Sequence, residues 1–385
     1  MSTGLLLALV CGTFVAYLNG ANDVSKGIAT LAGSGVTNYR RAILWGSLCT
    51  GAGCLASSIA SKAMIGTFGA GLLREGVQPT LDGALAVLLG AAACVGTATL
   101  LGLPVSTTHA IVGSVAGVYS YTLGFAGVNW GTLGGKVVLP LLASPFLALL
   151  LVLAILVARR LAAKRLGEAP DCFCIDVQRA SLPASLVVDS SSLAVSQSTT
   201  QVDIAVGTAE ACATERPLTF RITATHLHWF TSGATSFARG LNDTPKIVAL
   251  VLVALALASG SSIGQSYAFA TVALAMVAGS WMAGKKVTRV LAEEITPMDH
   301  QEGFIANLVT AGLVGPGAAL GLPMSTTHVS TGAIIGVGTL KKAELNWKAV
   351  QSMLWAWVLT IPLAAVLGIL AFTVLQVAQG NSLAW

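Results

Sequence analysis

The sequence predicts an all-α integral membrane protein, built as two inverted-topology repeats of about five helical segments each, some of them broken or re-entrant. Three observations carry that prediction. The composition is too apolar for water, two motif pairs recur at a near-constant offset, and the basic residues cluster at alternate connections.

Composition comes first. The chain has 385 residues, 55% of them hydrophobic and 10% charged, with a mean hydropathy of +0.79. A soluble domain carries about 25% charged residues, because its surface must meet water. Long apolar runs with few charges make lipid the solvent instead. Glycine is abundant at 42 residues while aromatics are 6%, which suits closely packed transmembrane helices. The net charge of +5 is spread in small groups between apolar runs, so it gives no footprint for nucleic acid. Of the seven cysteines, Cys172 and Cys174 lie in a polar stretch without the second ligand pair of a zinc site, so no metal centre is expected. No lysine or arginine precedes Lys26, so the basic start of a signal peptide is missing. The first apolar run is expected to stay in the membrane.

Self-similarity is the second observation. Gly20-Ala21-Asn22-Asp23-Val24-Ser25-Lys26 returns as Gly240-Leu241-Asn242-Asp243-Thr244-Pro245-Lys246. Gly102-Leu103-Pro104-Val105-Ser106-Thr107-Thr108-His109 returns as Gly321-Leu322-Pro323-Met324-Ser325-Thr326-Thr327-His328. Asn129-Trp130 with Pro145 is echoed by Asn346-Trp347 with Pro362. The offset runs only from 220 residues (Gly20 to Gly240) to 217 (Asn129 to Asn346). The duplication divides the chain into a first membrane repeat over 1–158, a central cytoplasmic loop over 159–225, and a second, inverted repeat over 226–385.

Each repeat holds five apolar segments. They run near Leu5–Gly33, Ile43–Phe68, Ala84–Leu101, Ser106–Phe125 and Val137–Val157, then near Trp229–Ala258, Gly264–Gly284, Phe304–Leu320, Ser325–Thr339 and Val350–Val377. The first segment of each repeat, and each Ser-Thr-Thr-His region, is interrupted by Gly, Pro and polar residues. The central stretch is rich in Ser and Thr with short alternating pieces such as Thr219-Phe220-Arg221-Ile222-Thr223. It reads equally as a disordered linker or as a small β-rich cap.

Charge placement is the third observation. Arg40 and Arg41, then Arg159, Arg160, Lys164 and Arg165, then Lys285, Lys286 and Arg289, then Lys341, Lys342 and Lys348 fall at alternate connections. The opposite connections hold Arg74 with Glu75 and Asp82, a lone Lys136, or no charge. Basic connections face the cytoplasm. Both termini are therefore expected outside, in the inner (plasma) membrane of a bacterial-type cell. An odd number of crossings per repeat turns the second copy over.

Broken helices at matching positions of two inverted halves are where a membrane carrier binds its cargo. Unwound backbone has free N–H and C=O groups that must line a cavity or meet a ligand. Ser106, Thr107 and Thr108, and equally Ser325, Thr326 and Thr327, follow a Gly and a Pro and would offer hydroxyls beside N-terminal amides to a small tetrahedral oxyanion. Helix capping is the plainer reading of the same residues. Asn22, Asp23, Asn242 and Asp243 form the next pair. A carboxylate inside a membrane segment costs ~2.5–3.5 kcal/mol on insertion scales, so it needs a cation or proton partner. Lys26 and Lys246, three residues on, would neutralise the carboxylates, attract the anion, or snorkel to the interface. His109 and His328 are candidates for a proton relay or neutral, hydrogen-bonded helix residues. His226 and His228 read as interfacial. A hydrolase around Ser106 and His109 lacks an acid to orient the imidazole, so the chain is not expected to be an enzyme.

With those residues in place, the sequence resembles the inorganic phosphate transporters of the Pit type, which include sodium- and proton-coupled symporters. The resemblance rests on Asn19-Gly20-Ala21-Asn22-Asp23-Val24, on the Gly-Leu-Pro-Val-Ser-Thr-Thr-His segment, and on their repeats. It implies a secondary active importer of inorganic phosphate, working by cation symport and alternating access, embedded in the bilayer as a homodimer. It also implies that Ser106, Thr107, Thr108, Ser325, Thr326 and Thr327 contact phosphate. Asn22, Asn242, Asp23 and Asp243 would serve substrate and coupling ion, with no other cofactor. Sulfate or another oxyanion, or a passive anion channel, are the competing cargo readings. Three departures bear on cation handling. Lys26 and Lys246 stand where the family often has asparagine, no Asp or Glu lies between Arg41 and Arg74, and Asn307 stands where a glutamate is usual. Sodium and proton both remain as coupling ions.

Overall fold

The structure, a computed structural model, describes residues 3–166, 172–179, 200–207, 219–259, 264–341 and 345–381. Of the first apolar half, α1 (Thr3–Asp23) and α2 (Ser25–Gly33) form one span interrupted at Val24, followed by α3 (Tyr39–Ala60) and α4 (Lys62–Gly66). Next come α5 (Leu81–Leu101), α6 (Thr107–Leu123), the short α7 (Trp130–Thr132) and α8 (Leu139–Leu166). The second half comprises α9 (Ala224–Ser259), α10 (Gln265–Ala283), α11 (Lys285–Glu293), α12 (His300–Ala319), α13 (Thr326–Leu340) and α14 (Trp347–Ala378). Among the described residues, seven helical stretches are long and apolar enough to cross a membrane, including Thr3–Gly33, Trp130–Arg165, Ala224–Ser259 and Trp347–Ala378. Helices α6 and α13, at 17 and 15 residues, are shorter than the ~20 residues a full crossing needs.

Burial departs from that of a water-soluble protein in two ways. Large apolar side chains such as Leu48, Ile59, Leu100, Phe146, Leu274 and Val358 are exposed, whereas Asn22, Lys26, Arg239, Asn242 and Lys246 are buried. Such an arrangement is stable only where the surroundings are hydrocarbon and the polar groups meet one another.

Residues 1–157 and 228–385 share one compact unit, and glycines show how their helices engage. A Cβ on Gly20 of α1 would lie 2.1 Å from the Met276 carbonyl oxygen of α10, and one on Gly279 of α10 would lie 1.8 Å from Tyr17 O. The matching pair joins α9 to α3, with Gly240 2.3 Å from Thr50 O and Gly53 2.1 Å from Phe237 O by the same measure. Only glycine lets backbones approach this closely. Farther along, Gly113 of α6 abuts Ile361 of α14, and Gly332 of α13 abuts Pro145 of α8. Each of these helices therefore packs on a helix from the other copy, and the two main apolar cores draw side chains from both copies.

Residues 158–227 form a separate unit. Its strands β1 (Cys172–Arg179), β2 (Thr200–Gly207) and β3 (Thr219–Thr223) make an antiparallel sheet in the order β2-β1-β3. Register pairs Cys172 with Gly207 on one side and with Thr223 on the other. The alternating Thr219–Thr223 piece is thus a strand, as the β-rich alternative had it. The rest of the central stretch lies outside the described residues.

One expectation needs refining. The first segment of both copies reads as broken from sequence, yet α9 stays helical through Pro245. Proline has no N–H to give the carbonyl four residues back. That carbonyl, Leu241 O, takes the Ser61 hydroxyl at 3.5 Å, and Thr244 Oγ1 donates to Gly240 O at 2.7 Å. Neighbouring hydroxyls satisfy the helix and spare it a break.

Candidate functional site

The second motif of each copy builds a buried reversal between two helices. Helix α5 ends at Gly102 with φ of 80°, and α12 is followed by Gly321 with φ of 73°. Leu103 N donates to Ala98 O and Gly102 N to Thr99 O, while Leu322 N donates to Gly317 O and Gly321 N to Ala318 O. Both are Schellman stops, which need a left-handed residue and so select glycine. An extended link through Pro104 or Pro323 then delivers the chain to a serine N-cap. Ser106 Oγ accepts from His109 N at 3.3 Å and Ser325 Oγ from His328 N at 3.2 Å. The capping reading therefore holds for the two serines. Their neighbouring threonines do other work.

In the first half, Asn22 is the clamp. Its Nδ2 donates to Leu103 O and Thr99 Oγ1, each at 3.0 Å, and its Oδ1 accepts from Val105 N at 3.2 Å. The motif on α1 is thereby pinned to the reversal after α5. At the Val24 interruption, Asn22 O meets Ser25 Oγ at 2.8 Å and Lys26 Nζ at 2.9 Å. The same ammonium reaches Asn22 Oδ1 at 2.8 Å and Asp23 Oδ1 at 2.6 Å. Thr107 Oγ1 donates to Asp23 Oδ2 at 3.2 Å.

The second half repeats the clamp with a different wiring. Asn242 Nδ2 donates to Met324 O at 2.8 Å and its Oδ1 accepts from Met324 N at 3.3 Å. Lys246 Nζ reaches Asp243 Oδ1 at 3.2 Å, Met324 O at 3.1 Å and, across to the other half, Thr108 Oγ1 at 2.7 Å. Thr327 Oγ1 returns the crossing by donating to Val105 O at 2.8 Å. Thr326 Oγ1, the counterpart of Thr107 Oγ1, is buried with no partner.

Both halves meet at one place. Asn19 Nδ2 lies 2.9 Å from Asp23 Oδ2, 3.0 Å from Thr107 Oγ1 and 3.3 Å from Asp243 Oδ2, so a single amide bridges the two carboxylates. His109 and His328 stack face to face with centroids 4.4 Å apart and planes 4° apart, and His328 also lies against Trp357. Charging both rings at that separation would cost about 4 kcal/mol at an effective dielectric of 20. Charging both rings together is therefore disfavoured. Lys26 and Lys246 are fully buried, which removes the snorkelling alternative. His226 is exposed, but His228 is a correction to the interfacial reading. It is fully buried, with Nε2 3.1 Å from Thr30 Oγ1 and the ring against Gly303. The missing Cβ of Gly303 makes room for the ring.

Sequence reasoning missed Arg239. It is fully buried, with Nη2 2.7 Å from Thr50 Oγ1 and 3.3 Å from Ser280 Oγ, and Nη1 3.5 Å from Asn19 O. Its Nε has no partner. Two signals pointed to it: a lone arginine inside an apolar run, and its position one residue before Gly240, where the first copy has Asn19 before Gly20.

A multi-spanning helical body that buries capped Ser-Thr-Thr segments, paired carboxylates and three cationic side chains belongs to the class of membrane solute carriers. The sequence profile of the phosphate transporter family matches residues 19–368, and the chain belongs to that family. A "Probable low-affinity inorganic phosphate transporter" of Bacillus subtilis is 25% identical, over 96% of this chain and 97% of its own length. A protein of the same name from Mycobacterium tuberculosis is 26% identical, over 96% of this chain and 76% of its own length. A solved structure, "The sodium-dependent phosphate transporter", shares the fold, with a TM-score of 0.75 over 98% of this chain and 100% of that one, at 24% identity.

Proposed function

We propose that the protein is a secondary active carrier for inorganic phosphate, with the anion held between the two Ser-Thr-Thr segments. The observation that carries this reading is the meeting of Asp23, Asp243 and Thr107 at Asn19, together with the crossings of Lys246 to Thr108 and of Thr327 to Val105 O that join the two Ser-Thr-Thr segments. Thr326 Oγ1 and Arg239 Nε are buried donors without acceptors, and an unmet buried donor costs about 1–3 kcal/mol. An oxyanion supplies acceptors. Phosphate at neutral pH still carries a proton and can donate to a carboxylate such as Asp23 or Asp243. Sulfate is fully ionised and would meet those carboxylates as a repelled anion.

In this reading Asn22 and Asn242 hold the reversals in place, so that the triplets present helix N-termini to the anion. Asp23, Asp243, Lys26 and Lys246 balance its charge, and the His109–His328 pair passes one proton. The two copies act as inverted repeats that rock about the site to open it to either side. The carrier lies in the inner membrane as a homodimer, with both termini outside and the central unit in the cytoplasm. The test is uptake of labelled phosphate into liposomes holding the purified protein, with unlabelled phosphate or sulfate as competitor. Saturable uptake displaced by phosphate and spared by sulfate is expected. Displacement by sulfate at equal concentration would reassign the cargo.

A further inference from the structure

A coupling sodium ion would need a set of oxygen ligands at the interruptions and reversals of the helices, as carbonyls and carboxylates supply in carriers. Among the described residues, two such sets stand at the paired Asn-Asp motifs, and a lysine fills each. Asn22 O, Asn22 Oδ1 and Asp23 Oδ1 converge on Lys26 Nζ at 2.9, 2.8 and 2.6 Å. Thr108 Oγ1, Met324 O and Asp243 Oδ1 converge on Lys246 Nζ at 2.7, 3.1 and 3.2 Å. An ammonium has three protons, and each finds one oxygen here. A metal ion could enter either set only by evicting a fully buried lysine, leaving that cation unpaired in the membrane interior. The residues do not fit sodium.

Charge points the same way. Asp23 and Asp243 pair with Lys26 and Lys246, and the buried Arg239 joins the same cluster through Asn19, which is two formal negative charges against three positive, a formal excess of +1. A sodium ion would raise that excess, whereas an anion lowers it. We infer that Lys26 and Lys246 are tethered counter-cations standing where a carrier of this architecture would bind coupling metal ions, so that this protein binds and moves phosphate without sodium. Arg239 supplies the uncompensated positive charge that draws the anion in. This rests on the phosphate reading above, and the experiment below separates the two.

The measurement is binding of labelled phosphate to the purified full chain in choline chloride with a chelator, repeated with sodium chloride at equal ionic strength. An affinity unchanged within about twofold is expected, since a site with no differential contact to sodium gains nothing from it. Phosphate binding that needs sodium, or tightens tenfold or more with it, would overturn the inference and leave the phosphate reading intact. Failure to bind phosphate in either medium would remove the phosphate reading, and the inference with it. The variant Lys246→Ala, checked for monodispersity and thermal stability, probes the same point from the other side. Removing one partner of a buried charge pair should weaken phosphate binding by about 30-fold or more in choline. Because the emptied oxygen set admits a small cation, sodium should then restore part of the loss. A purely structural lysine would instead leave a variant whose residual binding ignores sodium, and that outcome counts against the proposal. Where Lys246→Ala does not fold, Lys26→Ala gives the parallel readout, and the wild-type comparison decides alone.

Discussion

The two halves of the site share motifs but differ in how their charges are held. In the first half, Lys26 stays within its own motif, bonded to Asn22 and Asp23, and Thr107 reaches the carboxylate. In the second, Lys246 crosses to Thr108, its bond to Asp243 is longer, and Thr326 has no partner. Arg239 stands where the first copy has Asn19. The lysine of the first half is held within its own motif, whereas the lysine of the second reaches across beside a surplus cation and an unmet hydroxyl. A duplicated motif therefore fixes which residues meet without fixing their roles, because each copy sits in a neighbourhood made by the other.

The largest test of this asymmetry is removal of each lysine. Lys26→Met leaves Asp23 buried beside a lost 2.6 Å ion pair, and should lower stability by about 3–5 kcal/mol. Lys246→Met breaks a 3.2 Å pair whose carboxylate keeps Asn242 at 2.8 Å, so its cost should fall at the lower end of that range. Thermal unfolding of the detergent-solubilised protein measures both, and equal losses would erase the distinction drawn above.

Next in size is Arg239→Asn, which gives the second copy the residue of the first. It removes charge-assisted hydrogen bonds to Thr50 and Ser280 and should cost about 2–3 kcal/mol. It also cancels the surplus charge, so phosphate affinity should drop at least about tenfold. Stability lost with affinity kept would make Arg239 a packing residue only.

The glycine contacts, by contrast, are alike in the two halves. Gly279→Ala and Gly53→Ala each place a methyl against a carbonyl oxygen, Tyr17 O or Phe237 O, and each should cost about 1–3 kcal/mol by overpacking. Clearly unequal shifts in melting temperature would show that one of the two helix pairs is looser than its mate.

The smallest effects separate the threonines. Thr107→Val loses its bonds with Asp23 and Asn19 and should cost about 1–2 kcal/mol. Thr326→Val removes a buried hydroxyl with no partner, so stability should change by less than about 0.5 kcal/mol or improve. Phosphate binding should weaken in both. Unchanged binding in Thr326→Val would mean that its hydroxyl faces no anion.

Much of this was legible in the chain itself. Apolar runs of membrane-spanning length, scarce charge and the recurrence of Asn-Asp with Gly-Leu-Pro-x-Ser-Thr-Thr-His specified a helical membrane protein with a duplicated polar centre. These signals survive without a structure because lipid imposes one rule on every segment. Backbone polar groups must be met internally, and a carboxylate such as Asp23 must find company. One local rule was also readable, the capping of a helix by the serine of each triplet, whereas the left-handed turns at Gly102 and Gly321 came with the structure.

Tertiary structure decided the remainder. No spacing shows that Lys246 reaches Thr108 rather than its own triplet, that Asn19 links Asp23 to Asp243, or that His109 stacks on His328. Nor does sequence reveal that α9 passes Pro245 unbroken, since the hydroxyl that replaces the missing donor comes from Ser61, 180 residues away. Arg239 escaped notice for a related reason. A lone arginine in an apolar run marks the position, but its role shows only once Thr50 and Ser280, from two other helices, close around it. Hydrogen bonds and ion pairs act over about 3 Å, so partners brought together only by folding leave no periodic trace along the chain.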